Sequence, residues 1–384
     1  MKRAIVSMIL MALFSVSSFV SAEMQPAEIK PIHVFVIGTG TVGGTLLDQI
    51  EASREKMKKE FAIDIRVVGI VTSRVMCFNP QGISTKDWRR TLEHSPKVSW
   101  NKVIDQLVVI GVGGKAPVFV DCTSSQLIAD SYADILDLGI SVVAANKKAN
   151  SGSMEYYKKL KHSCNTTGAR FFYDTNVGAG LPIITTLQGI QRSGDEIIKV
   201  EAILSGALSY LFNSFQKDVV FSELVADAQL KGYTEPDPRD DLGGMDVKRK
   251  LLIVLRELGL PLELNDIELR PFIPKFCFDA PTVADFYTQL KICDLALADC
   301  RDKIEAKKKR LRYIASFENG KALVALQAVC EDHPFYALSG NDNIIAITTK
   351  YYSKNPIVIR GPGAGAEVTA AKVLDGIVRA GIKQ

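Results

Sequence analysis

The fold of the first half of this chain is decided by the stretch Ile32-His-Val-Phe-Val-Ile-Gly38-Thr-Gly40-Thr-Val-Gly43-Gly44. Its apolar run predicts a buried strand, and the helical pattern from residue 45 onward makes the glycines a strand-to-helix turn. A G-x-G-x-x-G motif in this setting is typical of dinucleotide binding, because the pyrophosphate can approach the backbone at the helix N-terminus. The alternative is a glycine turn with a structural role alone. The candidate cofactor contacts are Gly38, Gly40, Thr41, Val42 and Gly43.

The second predicted strand, residues 65–71, ends without the acidic side chain that NAD enzymes usually place beside the adenosine ribose. Thr72, Ser73 and Arg74 follow it instead. Hydroxyl groups and a guanidinium favour a 2′-phosphate at this position. The sequence therefore predicts NADP as the cofactor, with NAD as a second possibility. The alternative for Arg74 is an ordinary surface arginine.

Length and composition limit the classes of protein to consider. A chain of 384 residues predicts two domains, and the net charge of +4 without a basic, aromatic-rich run does not favour nucleic acid as a partner. Seven scattered cysteines without C-x-x-C spacing predict neither a disulfide framework nor a zinc site. With only four histidines, a transition-metal centre is not expected. This cysteine usage indicates a reducing compartment.

Residues 1–22 have the layout of a secretory signal peptide, with a basic start, an apolar run over 4–20 and small residues at Ser21 and Ala22. The run is short for a membrane span, and we expect no membrane segment in the mature chain. Because the cysteine pattern points to a reducing compartment, we expect a cytoplasmic protein. Export through the signal-like segment is the alternative.

Two more predicted strands end in polar residues. The run 117–121 leads into Cys122, Thr123 and Ser124, and the run 140–146 leads into Lys147. Carboxyl ends of parallel strands meet at one edge of a sheet, where ligands bind in open α/β folds. A lysine at a strand end is, however, more often only solvated.

A loop of small residues, Asp174-Thr-Asn-Val177-Gly-Ala179-Gly-Leu181-Pro182, follows the predicted strand 169–173. Its irregular backbone exposes carbonyl oxygens, which are ligands for a hard cation. From chemistry alone, a domain hinge is the better interpretation.

The stretch from Gly232 to Lys250 is dense in charge and leads directly into an apolar run. Pro236 and Pro238 stiffen it, and a helix is predicted over 245–258, on which Asp246 and Lys250 share a face. An ordinary surface ion pair is the simplest interpretation of these two residues. The acids upstream, however, repel one another unless a cation or a cationic substrate compensates. We therefore predict a dehydrogenase for a small amino-bearing aldehyde or alcohol, with a lysine that transfers a proton.

The chain resembles the homoserine dehydrogenases, and most of all the dehydrogenase half of bacterial bifunctional aspartokinase–homoserine dehydrogenases. The resemblance extends from about residue 34 to the C-terminus. It is carried by Val120-Asp-Cys-Thr-Ser-Ser, Asn146-Lys-Lys-Ala-Asn, Tyr173-Asp-Thr-Asn-Val-Gly-Ala-Gly-Leu-Pro, Gly232-Tyr-Thr-Glu-Pro-Asp-Pro-Arg-Asp-Asp-Leu, Asp246-Val-Lys-Arg-Lys and Gly363-Ala-Gly-Ala-Glu-Val-Thr-Ala.

By this resemblance, the reaction is the reversible NAD(P)H-dependent reduction of L-aspartate 4-semialdehyde to L-homoserine, on the route to threonine and methionine. Lys250 is implied as the acid/base residue, and Lys147 as a second cation beside cofactor and substrate. The implied substrate-binding residues are Gly232, Glu235, Asp241 and Asp246. Thr123, Ser124 and Gly365 are implied at the cofactor. The family's monovalent cation, which we expect to be sodium, maps onto Asp174 and the carbonyls of Val177, Ala179 and Leu181.

The expected fold class is α/β, with a Rossmann-type nucleotide-binding domain and an α+β substrate and dimerisation domain. We place the first domain at residues 31–175, completed by 361–384, and the second at 176–355. A homodimer is implied by the resemblance. Two rival interpretations are a different semialdehyde reductase and an inactive relative that serves as a binding or sensor protein.

Overall fold

The computed structural model describes residues 28–112 and 117–382, so the signal-like residues 1–22 lie outside the described part of the chain. Two six-stranded sheets divide the described residues between them. One is the mostly parallel sheet of a nucleotide-binding domain and the other is a mixed sheet with helices. The predicted α/β class with a Rossmann-type domain and an α+β domain is therefore confirmed.

The first sheet is built from short buried strands with helices between them. Its strands are β1 (Lys30–Ile37), β2 (Ile63–Val71), β3 (Met76–Phe78), β4 (Val118–Asp121), β5 (Val142–Ala144) and β6 (Phe171–Phe172). The helices are α1 (Thr41–Phe61), α2 (Trp88–Glu93), α3 (Trp100–Val112), α4 (Gln126–Asp130), α5 (Tyr132–Asp137) and α6 (Met154–Thr167). The order β3-β2-β1-β4-β5-β6, parallel except for β3, reverses direction at β1, and ligands bind at such a point in doubly wound folds.

The strand ends of this sheet lie level with one another. Ile37 at the end of β1 pairs with Val71 of β2 and with Asp121 of β4, and Asp121 pairs with Ala144 of β5. The segments that follow these four strands therefore emerge at one edge of the sheet. This edge carries the glycine turn, Arg74 and the residues after Asp121 and Ala144.

The glycine turn requires glycine at two positions. Gly38 has a φ of 87°, and a Cβ there would lie 2.6 Å from the Cγ2 atom of Thr123. A Cβ on Gly43 would lie 1.9 Å from the carbonyl oxygen of Gly38. The turn is fastened to the neighbouring strand because the Gly38 amide donates to the Val71 carbonyl at 2.7 Å. The close approach of α1 to β1 thus depends on the absence of side chains.

The second domain packs helices on one mixed sheet. Its strands are β7 (Ile197–Ile203), β8 (Glu268–Leu269), β9 (Arg310–Glu318), β10 (Lys321–Val329), β11 (Asp342–Thr349) and β12 (Ile357–Pro362), in the order β12-β11-β7-β9-β10-β8. Its helices are α7 (Ile183–Arg192), α8 (Gly206–Ser214), α9 (Phe221–Leu230), α10 (Pro238–Leu242), α11 (Met245–Glu257), α12 (Lys275–Phe278) and α13 (Val283–Glu305). Two 3₁₀ turns, Asp174–Asn176 and Leu264–Asp266, complete the elements of the loops.

The second sheet continues past the boundary predicted at residue 355. Strand β12 pairs with β11 from Ile357 to Pro362, so these residues belong to the edge of the mixed sheet. Only after β12 does the chain return to the first domain, as helix α14 (Ala366–Gly381).

Helix α14 covers the first sheet. Its Ala370, Val373 and Ile377 are buried in the same apolar cluster as β1 and α1. A Cβ on Gly376 would lie 2.8 Å from Val143, so the helix lies close against β5. The first domain is therefore assembled from two separate parts of the chain. None of the helices within the described ranges has both the length and the apolar character needed to cross a membrane.

Candidate active site

A buried aspartate organises the edge of the first sheet. The Asp121 carboxylate is fully buried; it accepts hydrogen bonds from the Thr123 amide at 2.7 Å, the Tyr132 hydroxyl at 2.5 Å and the Asn146 side-chain amide at 3.0 Å. Burial raises the pKa of Tyr132 well above its ordinary value, so its hydroxyl keeps the donated proton. Asp121 thereby fixes both the turn that carries Thr123 and the turn that precedes Lys147.

The second domain contributes α11, whose start is set by a glycine. Gly244 has a φ of 68°, and a Cβ there would lie 2.0 Å from the hydroxyl oxygen of Tyr313. Downstream, Leu251, Leu252 and Leu255 hold the helix in the core of this domain. The first turns of α11 therefore extend toward the first domain from a helix that is packed in the core of the second.

The two domains meet at three charged side chains, Lys147, Asp246 and Lys250, which we call the lysine–aspartate cluster. Lys147 Nζ lies 2.7 Å from Asp246 Oδ1, and Lys250 Nζ lies 2.9 Å from Asp246 Oδ2. Lys250 also donates to the Leu204 carbonyl at 2.6 Å. Its side chain is 12% exposed, against 34% for Lys147 and 46% for Asp246. Lys250 is thus the least exposed of the three groups.

Burial and charge oppose each other in this cluster. Burial alone disfavours the ionised carboxylate of Asp246, but Lys250 and Lys147 outweigh it and lower the pKa of Asp246 well below its ordinary value. Burial lowers the pKa of Lys250, and nearby Lys147 lowers it further, while Asp246 opposes both. A lysine whose pKa is lowered gives up its proton more readily, which suits general acid–base chemistry.

The acidic stretch folds back on α11. Gly232, with a φ of 70°, follows the end of α9, and the Glu235 amide donates to Asp241 Oδ2 at 2.7 Å. Burial, together with the charges of Glu235 and Asp246, raises the pKa of Asp241 to about 6. The carboxylate of Glu235 is exposed. Asp241 and Glu235 therefore form an acidic wall beside the lysine–aspartate cluster.

One acid of the stretch is neutralised within the protein. Asp237 caps α10 by accepting from the Arg239 amide at 3.0 Å, and its carboxylate pairs with the Arg239 guanidinium at 2.5 Å. Pro238 is the first residue of this short helix, where proline is favoured. The repulsion predicted among the acids is thus relieved at Asp237.

Five of the predicted cofactor residues form the turn and the first residues of α1, and two more, Arg74 and Gly365, follow β2 and precede α14. A Cβ on Gly40 would meet no atom within 4 Å, and Thr41 is the exposed first residue of a 21-residue helix, whose N-terminus favours an anion. Arg74 is exposed just beyond β2. Gly365, with a φ of 132°, caps α14, which is tied to α1 by a hydrogen bond of 3.0 Å from Gln49 Nε2 to the Glu367 carbonyl. The open space at Gly40, the N-terminus of α1 and the guanidinium of Arg74 thus lie at the same edge of the first sheet.

The loop after β6 contains both free and occupied oxygen atoms. The Asp174 carboxylate binds Thr185 and Arg379, and Lys372 lies 3.8 Å away. No other described residue donates a hydrogen bond to the carbonyls of Val177 and Ala179. Ala179 has a φ of 51°, which an L-residue seldom adopts.

The fourth predicted ligand, the Leu181 carbonyl, accepts from the Ile183 amide at 2.8 Å. The loop therefore fits a hard cation at two backbone carbonyls, whereas the Asp174 side chain already has cationic partners. Within the described ranges, no three His, Cys, Asp or Glu side chains lie together as a metal site.

Sequence reasoning missed the role of Asp121 and its partners. In the sequence it is only the last residue of an apolar strand, and its partners Tyr132 and Asn146 lie 11 and 25 residues further along the chain. The available signal was a lone carboxylate after Val118, Phe119 and Val120, because an acid at such a position is buried and needs donors.

A Rossmann-type sheet whose strand ends face a charged cluster from a second domain defines a class of two-domain dinucleotide-binding proteins. The family models for the NAD-binding domain of homoserine dehydrogenase and for homoserine dehydrogenase match residues 38–174 and 182–378. The chain belongs to the homoserine dehydrogenase family.

Relatives agree with this assignment. The chain is 43% identical over 350 residues to bifunctional aspartokinase/homoserine dehydrogenase 1 of Arabidopsis thaliana. The matched region makes up 91% of this chain but only 38% of that relative. It is 37% identical to the homoserine dehydrogenase of Schizosaccharomyces pombe, over 91% of this chain and 95% of the relative.

Solved structures show the same fold. A Candida auris protein of unknown function superposes with a TM-score of 0.83 at 32% identity, over 91% of this chain and 98% of that chain. A hyperthermophilic archaeal homoserine dehydrogenase in complex with NADPH superposes with a TM-score of 0.68 at 22% identity, over 91% and 97% of the two chains.

Proposed function

We propose that this chain catalyses the reversible, NAD(P)H-dependent reduction of L-aspartate 4-semialdehyde to L-homoserine, a step of threonine and methionine biosynthesis. The observation that carries the proposal is the lysine–aspartate cluster at the ligand-binding edge of a Rossmann-type sheet. Family membership gives the substrate, and the cluster gives a proton donor where a carbonyl would be reduced.

Lys250 acts as the acid in reduction and as the base in oxidation. The bound nicotinamide supplies the hydride, and Lys250 transfers the proton at the carbonyl oxygen. Contact with Asp246 keeps Lys250 protonated, and burial makes the proton easy to release. Lys147, held by the same carboxylate, adds positive charge where the oxygen gains electron density.

The acidic wall recognises the amino group of the substrate. Glu235 offers an exposed carboxylate, and Asp241 stands beside it. Asp246 orients the substrate through the lysines that it binds. Gly232 shapes the pocket because its backbone conformation brings the acidic stretch back toward α11.

The glycine turn would hold the cofactor, with Gly38, Gly40, Thr41, Val42 and Gly43 at its pyrophosphate. Arg74 binds the 2′-phosphate and thereby favours NADPH over NADH. Thr123 and Ser124 face the nicotinamide, since both follow Asp121 at the same sheet edge. Gly365 closes over the cofactor from the start of α14.

A monovalent cation, sodium by our proposal, is held by the loop after β6. The unpartnered carbonyls of Val177 and Ala179 support it, together with the carbonyl of Leu181. Asp174 would be a further ligand, although its carboxylate already pairs with Arg379 and Lys372. Such an ion would stabilise the junction between the loop and α14.

The active form is a homodimer. An apolar groove of about 780 Å³ lies between α13 and β10, and Ile292 beside it is 67% exposed. Leu295, on the same helix, is 85% exposed. An apolar surface of this kind is typical of a protein interface.

We place the protein in the cytoplasm, which agrees with seven free cysteines.

The proposed reaction is tested by following NADPH oxidation with L-aspartate 4-semialdehyde. Lys250→Ala should lower turnover by roughly 10²–10⁴-fold while NADPH binding is retained, because only the proton transfer is lost. Arg249→Ala, a change at the exposed neighbouring residue, is the matched control and should keep full turnover.

Three outcomes decide between the interpretations. Wild-type turnover that vanishes in Lys250→Ala supports the proposal. Turnover of aldehydes that lack the amino group, in preference to the semialdehyde, would identify a different reductase. NADPH binding without turnover of any aldehyde would favour a binding or sensor protein.

A further inference from the structure

A buried arginine joins the two domains behind the lysine–aspartate cluster. Arg256 lies near the end of α11, and its side chain has no exposed surface. Its Nη1 donates across the domain boundary to the carbonyls of Asn150 at 2.9 Å and Gly152 at 2.8 Å. One guanidinium thus holds two carbonyls, two residues apart, of a loop in the first domain.

The other two nitrogens of the Arg256 guanidinium each make a hydrogen bond as well. Nε donates to the Leu262 carbonyl at 3.0 Å, and Nη2 donates to Glu263 Oε2 at 3.0 Å. The other carboxylate oxygen of Glu263 accepts from the Met154 amide at 2.7 Å, at the start of α6. A buried charge is costly unless hydrogen bonds compensate for lost hydration, so these four contacts favour one orientation of the guanidinium.

The loop held by Arg256 is the loop that carries Lys147. The amide and the hydroxyl of Ser151 both donate to the Lys147 carbonyl, each at 3.0 Å. Asn150 is fully buried, and its side-chain amide donates to Asn176 at 2.9 Å. Hydrogen bonds therefore connect Lys147 to the segment that Arg256 holds.

These contacts close a ring of interactions. From Lys147 the ring crosses to Asp246, follows α11 past Lys250 to Arg256, and returns through Asn150 and Gly152 to Lys147. We infer that Arg256 is a positioning residue that sets the separation of Lys147 and Lys250 by holding the loop 147–152 to α11. The inference rests on the proposed function, in which both lysines act at one carbonyl.

Without Arg256, the carbonyls of Asn150 and Gly152 would lose the donor described above. Lys147 would then be linked to α11 through Asp246. A shift of about 1 Å in a catalytic group can lower the rate by about 10²-fold. Arg256→Met should therefore lower kcat by roughly 10–100-fold and change NADPH affinity by less than about threefold, because the glycine turn is not touched. Arg256→Lys, which reaches a single carbonyl, should fall between.

Arg301→Met is the matched control. Arg301 is also buried and donates to two carbonyls, of Gln216 and Val219, but both lie in the second domain. A comparable loss of stability with unchanged kcat is expected. An equal fall of kcat in Arg301→Met and Arg256→Met would overturn the inference, since general destabilisation would then explain both.

Hydrogen–deuterium exchange tests the clamp without any turnover. In Arg256→Met the amides of Ser151 and Gly152 should exchange at least about tenfold faster, whereas those of β1 should not change. Unchanged exchange in the loop overturns the inference. If Arg256→Met does not fold, Arg256→Lys provides the same comparison.

The pH dependence of kcat separates positioning from stability. Lys250 is faced by Asp246, Lys147 and Asp241, and Lys147 lowers its pKa. If the loop with Lys147 lies farther from Lys250 in Arg256→Lys, the pKa of Lys250 rises and the alkaline limb of the reduction should move to higher pH. An alkaline limb at the wild-type pH would contradict the inference that Arg256 holds this loop. If wild-type protein shows no turnover, the proposed function fails while exchange still decides on Arg256.

Discussion

The ammonium of Lys147 and the carboxylate of Asp246 meet across the boundary between the two domains, 2.7 Å apart. Neither side chain is fully buried, yet the same carboxylate also binds Lys250, so one anion holds two like charges close together at the domain boundary.

Asp246→Asn should lower the pKa of Lys250 further, because burial and Lys147 remain while the opposing charge is removed. Lys250 then loses its proton at a lower pH, so the alkaline limb of the reduction should move to lower pH. The measurement is kcat against pH, with Asp240→Asn as the control at an exposed acid of the same stretch. A limb that coincides with wild type would contradict the assignment of the limb to Lys250.

Arg74→Ala should weaken NADPH much more than NADH, because only NADPH carries the 2′-phosphate. A hydrogen bond to a charged group contributes about 1.5–3 kcal/mol, which corresponds to a roughly 10–100-fold change in Kd. Both affinities are measured by cofactor fluorescence titration. Arg192→Ala, at an exposed arginine of the second domain, should change neither. Equal losses for the two cofactors would remove Arg74 from the phosphate site.

Asp241→Asn should stabilise the protein at neutral pH and have little effect in acid. The folded-state pKa of about 6 lies above the ordinary 3.8, so ionisation favours the unfolded chain. This penalty is absent below about pH 4, grows through pH 6 and is complete above it.

The check is the difference in Tm between Asp241→Asn and wild type at about pH 4 and about pH 7.5. The difference should be larger at the higher pH by a few degrees, since about 1 kcal/mol moves Tm by about 2–4 °C in a domain of this size. A difference that is independent of pH would show that Asp241 ionises normally.

Sodium should raise the Tm of the protein in a concentration-dependent manner, because an ion bound only by the folded chain stabilises it by mass action. Choline chloride at the same ionic strength is the control, since choline is too large for the carbonyls of Val177 and Ala179. Identical Tm values in the two salts would exclude a specific ion at this loop.

Leu295→Asp should shift the protein from dimer toward monomer, because a charge would be buried if this face of α13 is covered by a second copy. Sedimentation equilibrium measures the mass directly. Val109→Asp, at a residue 60% exposed on α3 in the first domain, is the matched control. A dimer that persists in Leu295→Asp would place the interface elsewhere.

Local pattern was enough to predict most elements of this fold. The apolar run before Gly38 gave the position of β1, and the helix predicted over 245–258 ends one residue earlier, at Glu257. The predicted strand 140–146 is bonded as a strand only over Val142–Ala144, because Asn146 turns inward to bind Asp121. The hydrophobic periodicity of the sequence does not predict this turn at Asn146.

The candidate site was predictable only in part. Lys250 and Asp246 share a helix, so their contact follows from spacing. Lys147 approaches Asp246 from 99 positions away, and the contacts of Arg256 with the first domain span 104 and 106 positions. Such pairs are set by the sheet order and the domain packing, which no local window of sequence contains.

The return of α14 to the first sheet has a consequence for synthesis on the ribosome. Ala370, Val373 and Ile377 cover apolar side chains of β1 and α1, yet they are translated only after the whole second sheet. Until then the nascent nucleotide-binding half carries a bare hydrophobic face, which is a surface that chaperones bind and that favours aggregation. The nucleotide-binding domain, whose strands are synthesised first, is therefore complete only when α14 has been synthesised.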